Sequence, residues 1–243
     1  MADIKTEELS CTANGTTLKG YLAYDAAAAG PCPGVLVVHE WWGLNDYVRG
    51  RARMLAEMGY TALAVDMYGD GQTADNPDGA GALMMGVLEN MGEGEARLKA
   101  SYQALSGHAA CDGGRMAAIG YCFGGAMVLH AAKIGMDLKA VASFHGALGS
   151  MHTPGPGEVK AKVLVCHGAA DALVPEDDIA NFKAEMDAAG ADYRFESYEG
   201  ALHGFSNPEA TANGEKYGLP LKYDEAVDTR SWEDMKALFA EAL

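Results

Sequence analysis

The chain has 243 residues, of which 49% are hydrophobic and 21% are charged, and its formal net charge at pH 7 is −16. This composition is typical of a globular protein and excludes a largely disordered chain. Because excess acidic charge repels phosphate backbones and anionic lipids, it argues against a nucleic acid or a membrane surface as partner. The composition does not shift along the chain, so we predict one domain over residues 1–243.

The cysteines and the N-terminus indicate a compartment. The five cysteines are odd in number and widely spread, with no pair at C-x-x-C spacing, which argues against a disulfide framework or a zinc cluster. The first residues, MADIKTEE, lack the basic start and apolar stretch of a secretory signal. No apolar run approaches the roughly 20 residues that span a bilayer. We therefore expect a cytoplasmic protein in a reducing environment.

The apolar pattern predicts an N-terminal β-hairpin followed by alternating strands and helices. The hairpin covers residues 7–24 around Asn14-Gly15, a dipeptide that suits a tight turn. Short β-branched runs predict the strands, and apolar residues at helical spacing predict the helices. In chain order these are a strand at 35–38, a helix at 45–58, a strand at 60–65, helices at 80–91 and 93–106, a strand at 116–119, a helix at 124–134, strands at 138–144 and 163–166, a helix at 175–189, a strand at 193–198 and a helix within 223–243. This order predicts an α/β fold with a mostly parallel central sheet and helices on both faces.

A cysteine, Cys122, lies where a predicted strand runs into a predicted helix. The surrounding residues 120–124 read GYCFG, the G-x-C-x-G pattern of a nucleophile elbow with cysteine where serine is commoner. A sharp strand-to-helix turn requires small residues two positions before and two positions after the nucleophile. The positive end of the helix favours a thiolate, and the backbone N–H of Phe123 would face an oxyanion beside the sulfur. From these five residues alone, a buried structural cysteine is the alternative.

An acyl-transfer site also needs a base and a group that orients it, at the same edge of the sheet. Asp171 follows the strand at 163–166, and His203 lies in a glycine-flanked loop after the last strand. The order Cys122, Asp171, His203 is the nucleophile–acid–histidine order of α/β-hydrolases. An aspartate before a helix is also a common turn or capping residue. Any one of the seven histidines, taken without this order, is more often structural than catalytic.

Four motifs together resemble the dienelactone hydrolase family, the carboxymethylenebutenolidases and their relatives in the α/β-hydrolase superfamily. The motifs are HEWWGL at 39–44, GYCFGG at 120–125, H-G-x-x-D at 167–171 and HGF at 203–205. The resemblance runs from about residue 7 to the C-terminus. It implies a hydrolase of a small ester or lactone that forms a cysteinyl acyl-enzyme. Cys122 would be the nucleophile, His203 the base and Asp171 its orienting carboxylate.

The resemblance also implies roles for the segment after the first predicted strand of the parallel sheet. Glu40 matches the family's glutamate that contacts the cysteine in the resting enzyme and assists its ionisation when substrate enters. A solvated acid at a strand end is the alternative for Glu40, and the neighbouring tryptophan pair argues against it. The backbone amide of Trp41 would join that of Phe123 as the second oxyanion donor.

The sequence departs from the family pattern where an anionic substrate would be held. The best-known members hold an anionic lactone with arginines, one of them shortly after the catalytic histidine. Here residues 205–208 read FSNP, and the segment 67–95 contains no arginine. The muconate-type dienelactone is therefore not the expected substrate. The segment 67–95 instead carries residues that suggest an apolar or adaptable pocket wall, with core packing as the alternative for methionines; these are Met67, Tyr68, Met84 and Met85.

The sequence thus predicts a single-domain α/β-hydrolase whose partner is a small ester or lactone. We expect no metal and no organic cofactor, because the sequence shows no ligand cluster, phosphate-binding glycine loop or dinucleotide fingerprint. One alternative is a hydrolase of a thioester, carbamoyl ester or peptide-like bond, since fold and triad do not fix the leaving group. Two others are a non-catalytic protein that binds a small molecule and a redox-sensing thiol, the latter without an obvious resolving cysteine.

Overall fold

The structure of the protein is a computed structural model that describes residues 2–243. The chain divides into two compact units, Met1–Ala118 and Ile119–Leu243. Within residues 2–243, no helix is both long enough and apolar enough to cross a bilayer.

The first unit contains the N-terminal hairpin and the beginning of the parallel sheet. Its elements are β1 (Ile4–Ala13), β2 (Thr16–Asp25), β3 (Cys32–Val38), α1 (Asp46–Glu57), β4 (Thr61–Val65), α2 (Pro77–Leu88), α3 (Met91–Ser106) and β5 (Cys111–Tyr121), the last of which continues into the second unit. β2 pairs antiparallel with both β1 and β4, whereas β3 and β4 are parallel. Helix α1 packs on β2 and β4, and α3 packs on β1.

The second unit contains the remaining strands and helices. Its elements are α4 (Phe123–Lys133), β6 (Ala140–Phe144), β7 (Lys162–Gly168), α5 (Glu176–Ala189), β8 (Tyr193–Tyr198), α6 (Ala210–Tyr217) and α7 (Glu225–Ala242). β7 is parallel to both β6 and β8. Every residue of β6 is buried, which explains why its sequence is mostly apolar on both faces. Helix α4 packs on β6, and α7 packs on β6 and β7.

The eight strands follow one another across the sheet in the order β1-β2-β4-β3-β5-β6-β7-β8. The predicted fold class, an α/β-hydrolase fold with a mostly parallel sheet and an N-terminal hairpin, is confirmed. In such a sheet the carboxyl ends of the parallel strands carry the loops that bind ligands. The loops after β3, β5, β7 and β8 carry the candidate site residues. One domain over residues 1–243 stays a prediction.

The differences from the predicted elements lie mainly at their ends. β5 begins at Cys111, five residues before the predicted start at residue 116. The prediction missed its first half because that half is largely polar and partly exposed and has no apolar run. The break between α2 and α3 falls at Glu89–Asn90, slightly before the predicted break between residues 91 and 93. Helix α6 was not predicted. Only Ala210 and Gly214 of its eight residues are buried, so its sequence has no apolar stripe.

Gly168, the last residue of β7, packs against the backbone that leads to His203. A Cβ atom at Gly168 would lie 2.5 Å from the carbonyl oxygen of Ala201. Because backbone atoms cannot move aside without displacing the loop, we expect Gly168→Ala to lower the free energy of unfolding by about 1–3 kcal/mol. Gly30→Ala is the control, since nothing lies within 4 Å of its added Cβ, and its effect should be below about 0.5 kcal/mol. Urea unfolding measures both, and equal stabilities would contradict the packing argument.

Candidate active site

Cys122 occupies the sharp turn between β5 and α4. Its backbone has φ 53° and ψ −116°, in the left-handed region that residues other than glycine rarely adopt. Its N–H donates to the carbonyl of Phe144 at 3.0 Å. A Cβ atom at Gly120 would lie 2.0 Å from the carbonyl oxygen of Gly124. The steric requirement for a small residue before the cysteine is therefore present in the structure.

Helix α4 begins directly after this turn and is buried along its whole length. The carbonyl of Cys122 accepts the N–H of Ala126 at 3.1 Å, which starts the helical hydrogen bonds. The first N–H groups of a helix have no partner within it and carry partial positive charge. Burial in a medium of low dielectric strengthens the interaction of that charge with a nearby anion. The side chain of Cys122 is half-buried, so it lies at the positive end of a buried helix and is still reachable.

Asp171 lies just beyond the end of β7 and makes hydrogen bonds through both carboxylate oxygens. Oδ1 accepts the backbone N–H of Leu173 at 2.9 Å, and Oδ2 lies 2.8 Å from Nδ1 of His203. The Asp171 side chain is fully buried. This one side chain therefore makes both a turn hydrogen bond and a hydrogen bond to an imidazole.

His203 lies in the loop between β8 and α6, with its imidazole hydrogen-bonded to Asp171 and to the side chain of Cys122. Burial opposes the imidazolium, but the charge of Cys122 and the hydrogen bond to Asp171 outweigh it and raise the pKa of His203 to about 10. The carbonyl of His203 accepts the N–H of Lys222 at 3.1 Å, which fixes the main chain of the loop. The structure thus brings Cys122, His203 and Asp171 into one hydrogen-bonded series.

Two further histidines at strand ends lie close to this series. The ring of His145, after β6, meets the ring of His203 edge-to-face with centroids 5.1 Å apart, and its Nε2 lies 2.8 Å from Oγ of Ser206. Burial lowers the pKa of His167, at the end of β7, and the charge of Asp171 offsets only part of this effect. Chain order selected His203 over His39, His145 and His167, which also lie at strand ends, and Ser206 was not predicted to belong to the site. The signal for His145 is a His-Gly pair at a strand end.

Glu40 and Trp41 belong to the first unit, in the turn that follows β3. Glu40 is only 5% exposed, so it is not the solvated acid that was its alternative. Its carbonyl accepts the N–H of Gly43 at 3.3 Å and also contacts Nδ1 of His39. The carbonyl of Trp41 accepts the hydroxyl of Tyr68 at 2.9 Å. The two peptide groups that flank Trp41 are therefore held in fixed orientations.

The tautomer of His39 follows from its two neighbours. Its Nε2 lies 3.2 Å from the backbone N–H of Met67, which can only donate, so Nε2 is the acceptor. Nδ1 therefore carries the hydrogen and donates it to the carbonyl of Glu40. Burial lowers the pKa of His39 to about 4. The ring is consequently neutral at physiological pH and keeps one fixed donor and one fixed acceptor.

The segment 67–95 was expected either to line a pocket or to pack in the core. Met67 and Tyr68 are buried, whereas Met85 is 43% exposed. Arg97, the nearest arginine, donates through Nη1 to the carbonyls of Met67 at 2.7 Å and Tyr68 at 3.1 Å. Its guanidinium is therefore used to hold the backbone that follows β4.

The strand order and the strand–Cys122–helix turn define an α/β-hydrolase. Residues 18–243 match the sequence model of the dienelactone hydrolase family. The chain belongs to this family, which makes it a hydrolase of the ester or lactone class, as its motifs had indicated.

Three relatives show how far the similarity extends. The protein usf of Aquifex pyrophilus is 31% identical over 199 residues, which cover 80% of this chain and 84% of that protein. The solved structure named m3DLH is 37% identical, with a TM-score of 0.92 over 99% of both chains. The structure of a dienelactone hydrolase-like promiscuous phosphotriesterase from metagenomic libraries is 34% identical, with a TM-score of 0.90 over 100% of this chain and 99% of that one.

The charge of Cys122 is the largest favourable influence on the pKa of His203. We therefore expect Cys122→Ala to lower this pKa from about 10 toward the ordinary value of 6.5. The Asp171 carboxylate remains in that variant, so adding Asp171→Asn should lower the pKa further. Ring ¹⁵N chemical shifts of His203, followed against pH, measure both changes. A pKa that stays near 10 in Cys122→Ala would mean that the sulfur is not charged beside the ring.

Proposed function

We propose that the protein hydrolyses a small carboxylic ester or lactone through a thioester formed on Cys122. The observation that carries this proposal is that His203 is hydrogen-bonded to both Cys122 and Asp171. In that position the imidazolium stabilises a thiolate, the reactive form of cysteine. Asp171 keeps Nδ1 as the donor and so leaves Nε2 for the sulfur and the substrate.

The first half of the proposed reaction forms the acyl-enzyme. The thiolate of Cys122 attacks the carbonyl carbon and forms a C–S bond, and the carbonyl electron pair moves to oxygen. Collapse of this tetrahedral oxyanion breaks the C–O bond, and the leaving alkoxide takes the proton of the His203 imidazolium. With a lactone as substrate, the released hydroxyl stays attached to the acyl group.

The second half of the reaction regenerates the enzyme. His203, now neutral, removes a proton from a water molecule that attacks the thioester carbon. The C–S bond breaks, the carboxylic acid product departs, and the sulfur leaves as a thiolate beside the newly formed imidazolium. The histidine therefore has to serve the sulfur, the leaving group and the water in turn.

We propose the backbone amides of Phe123 and Trp41 as the oxyanion donors. Phe123 is the first residue of α4, where backbone N–H groups have no helical partner. For Trp41, support comes from the peptide group that it shares with Glu40. In a trans peptide the C=O and N–H point in opposite directions, so the donors that hold the Glu40 carbonyl, His39 and the N–H of Gly43, also fix the direction of the Trp41 N–H.

We propose that Glu40 contacts Cys122 in the resting enzyme and assists its ionisation when substrate enters, as the family resemblance implies. The carboxylate is supported in this role by its burial, since it is 5% exposed. A buried carboxylate and a thiolate repel one another away from water, so the carboxylate favours a shared proton until substrate enters.

We propose an uncharged substrate rather than an anionic dienelactone. Ser206 and Asn207, which follow the HGF motif, are buried, and Ser206 is hydrogen-bonded to His145. Neither residues 205–208 nor the segment 67–95 contains an arginine that could pair with a substrate carboxylate. The net charge of −16 adds a general repulsion of anions.

We also propose that the protein acts in the cytoplasm as one domain over residues 1–243, with a small molecule as its partner. Five dispersed cysteines suit a reducing compartment. The family match over residues 18–243 supports a single functional chain.

Replacement of Cys122 tests the acyl-enzyme. We expect Cys122→Ala to lower the hydrolysis of p-nitrophenyl acetate and of δ-valerolactone on the order of 10³-fold or more, because the nucleophile is removed. Cys122→Ser should retain little activity, since a serine hydroxyl is far harder to ionise. Cys11→Ala, on β1, is the matched control and should behave as the wild type. Full turnover in Cys122→Ala would place the chemistry elsewhere, and a thiol that only titrates with peroxide would indicate a redox protein.

A second candidate activity of the same site is phosphotriester cleavage. The observation that favours it is the 34% identity and full coverage of the promiscuous phosphotriesterase structure. The thiolate of Cys122 would attack phosphorus and form a P–S bond, the aryloxide would leave with the proton of His203, and water would then cleave the P–S bond. An aryl dialkyl phosphate added to the same assay tests this activity. No release of phenol by the wild type would remove this candidate and leave the ester reaction standing.

Two substitutions of His39 test the Trp41 donor. His39→Asn keeps an N–H near the position of Nδ1 and so retains the donor to the Glu40 carbonyl, whereas His39→Gln retains only a group near Nε2 for the amide of Met67. We expect His39→Gln to lower kcat and kcat/KM equally, by about 10-fold, with KM unchanged, because an oxyanion contact exists only in the transition state. His39→Asn should lose less. Equal losses in both variants would contradict the role of this hydrogen bond.

A further inference from the structure

His145 is held in a sharply turned conformation at the end of β6. Its φ is 42°, in the left-handed region, and its N–H donates to the carbonyl of Cys166 at 2.8 Å. A Cβ atom at the following residue, Gly146, would lie 2.3 Å from Oγ of Ser143 and 2.8 Å from the backbone of Gly125. The chain is thus packed against the start of α4 immediately after His145, so the direction of the imidazole is fixed by the backbone.

The imidazole of His145 contacts three residues of the loop that carries His203, and its ring also lies 6.1 Å from that of Tyr121 at the end of β5. Its ring meets His203 at 5.1 Å and 65°, and meets Phe205 at 5.0 Å and 85°, both edge-to-face. Its Nε2 lies 2.8 Å from Oγ of Ser206. His145 and Ser206 are fully buried, and a hydrogen bond between buried groups is costly to break. The ring of His145 is therefore held by its hydrogen bond to Ser206 and packs edge-to-face against the imidazole of His203.

We propose that His145, anchored by Ser206, is a positioning residue that fixes the orientation of the His203 imidazole. This inference rests on the proposed function, in which that imidazole serves the sulfur, the leaving group and water in turn. The hydrogen bonds to Asp171 and Cys122 hold the two ends of the imidazole but do not fix the tilt of its plane about the line that joins these partners. An aromatic edge against the ring removes this freedom, because edge-to-face contact has a preferred geometry.

A pivoting imidazole changes the pH dependence of the reaction. The groups that face His203 are Asp171, Cys122 and His145, with His167 close enough to interact through its charge. Of these, Cys122 and Asp171 raise the pKa of His203. When the ring is less well held, both interactions weaken, and the pKa falls. The alkaline limit of kcat/KM, set by loss of the imidazolium that protonates the leaving group, then moves to lower pH.

The experiment compares two serines that are equally buried. Ser206→Ala removes the anchor of His145, whereas Ser231→Ala removes a hydrogen bond of 3.0 Å to the carbonyl of Asp228 within α7. We expect Ser206→Ala to lower kcat for δ-valerolactone, whose alkoxide leaving group must be protonated, about 10-fold, with KM unchanged and the alkaline limit at lower pH. Ser231→Ala should keep the wild-type values. His145→Asn, a residue type that tolerates a positive φ, should resemble Ser206→Ala and keep a cooperative thermal transition.

The outcomes separate this inference from the proposed function. Wild-type kcat and an unchanged alkaline limit in both Ser206→Ala and His145→Asn would overturn the positioning role, provided that Cys122→Ala is inactive. A rise in KM with kcat unchanged would also overturn it, because the loss would then concern substrate binding. Full activity in Cys122→Ala would instead overturn the proposed function itself.

Discussion

At Cys122 a strand becomes a helix within one residue, and this residue has a φ of 53°. Such a conformation costs about 1–3 kcal/mol in a residue other than glycine and persists only where the surroundings leave no alternative. Here the close approach of Gly120 to Gly124 and the hydrogen bond to Phe144 provide that constraint. The sulfur is consequently held at the start of a buried helix, and the proposed roles of His203 and Asp171 depend on their positions relative to that sulfur.

The ionisation of His203 is set by two opposing effects, burial and adjacent negative charge. The low dielectric that penalises the imidazolium also strengthens its interaction with the anions, so the pKa rises to about 10. In the proposed reaction, the negative charge of Cys122 disappears when the thioester forms. The pKa of His203 must then fall, because its largest favourable influence is lost. In the proposed reaction, His203 therefore acts as an acid toward the leaving group and as a base toward water, because thioester formation removes the charge that raised its pKa.

The sequence allowed the fold and much of the candidate site to be predicted because both depend on residue type and order. Alternating apolar runs predicted the strands and helices, and a glycine pattern located the elbow at Cys122. Chain order selected His203, which the structure places beside Asp171 and the sulfur. The contact between His145 and Ser206 joins residues 61 positions apart, and it depends on the direction of one buried ring. Neither spacing nor residue type carries that information, and α6 was missed because it buries only two of its residues.

Two histidines of this chain show why burial alone does not decide whether a histidine is structural or chemical. His39 and His203 are both buried, yet the pKa of the first falls to about 4 and that of the second rises to about 10. Around His39, burial outweighs the favourable contributions of the Glu40 carbonyl and the charge of Asp66. Around His203, two anionic partners outweigh it. A buried imidazole whose hydrogen-bond partners are backbone groups therefore becomes a fixed donor, suited to orienting a peptide, whereas one beside Cys122 and Asp171 favours the protonated form, which suits the proton transfers of the proposed reaction.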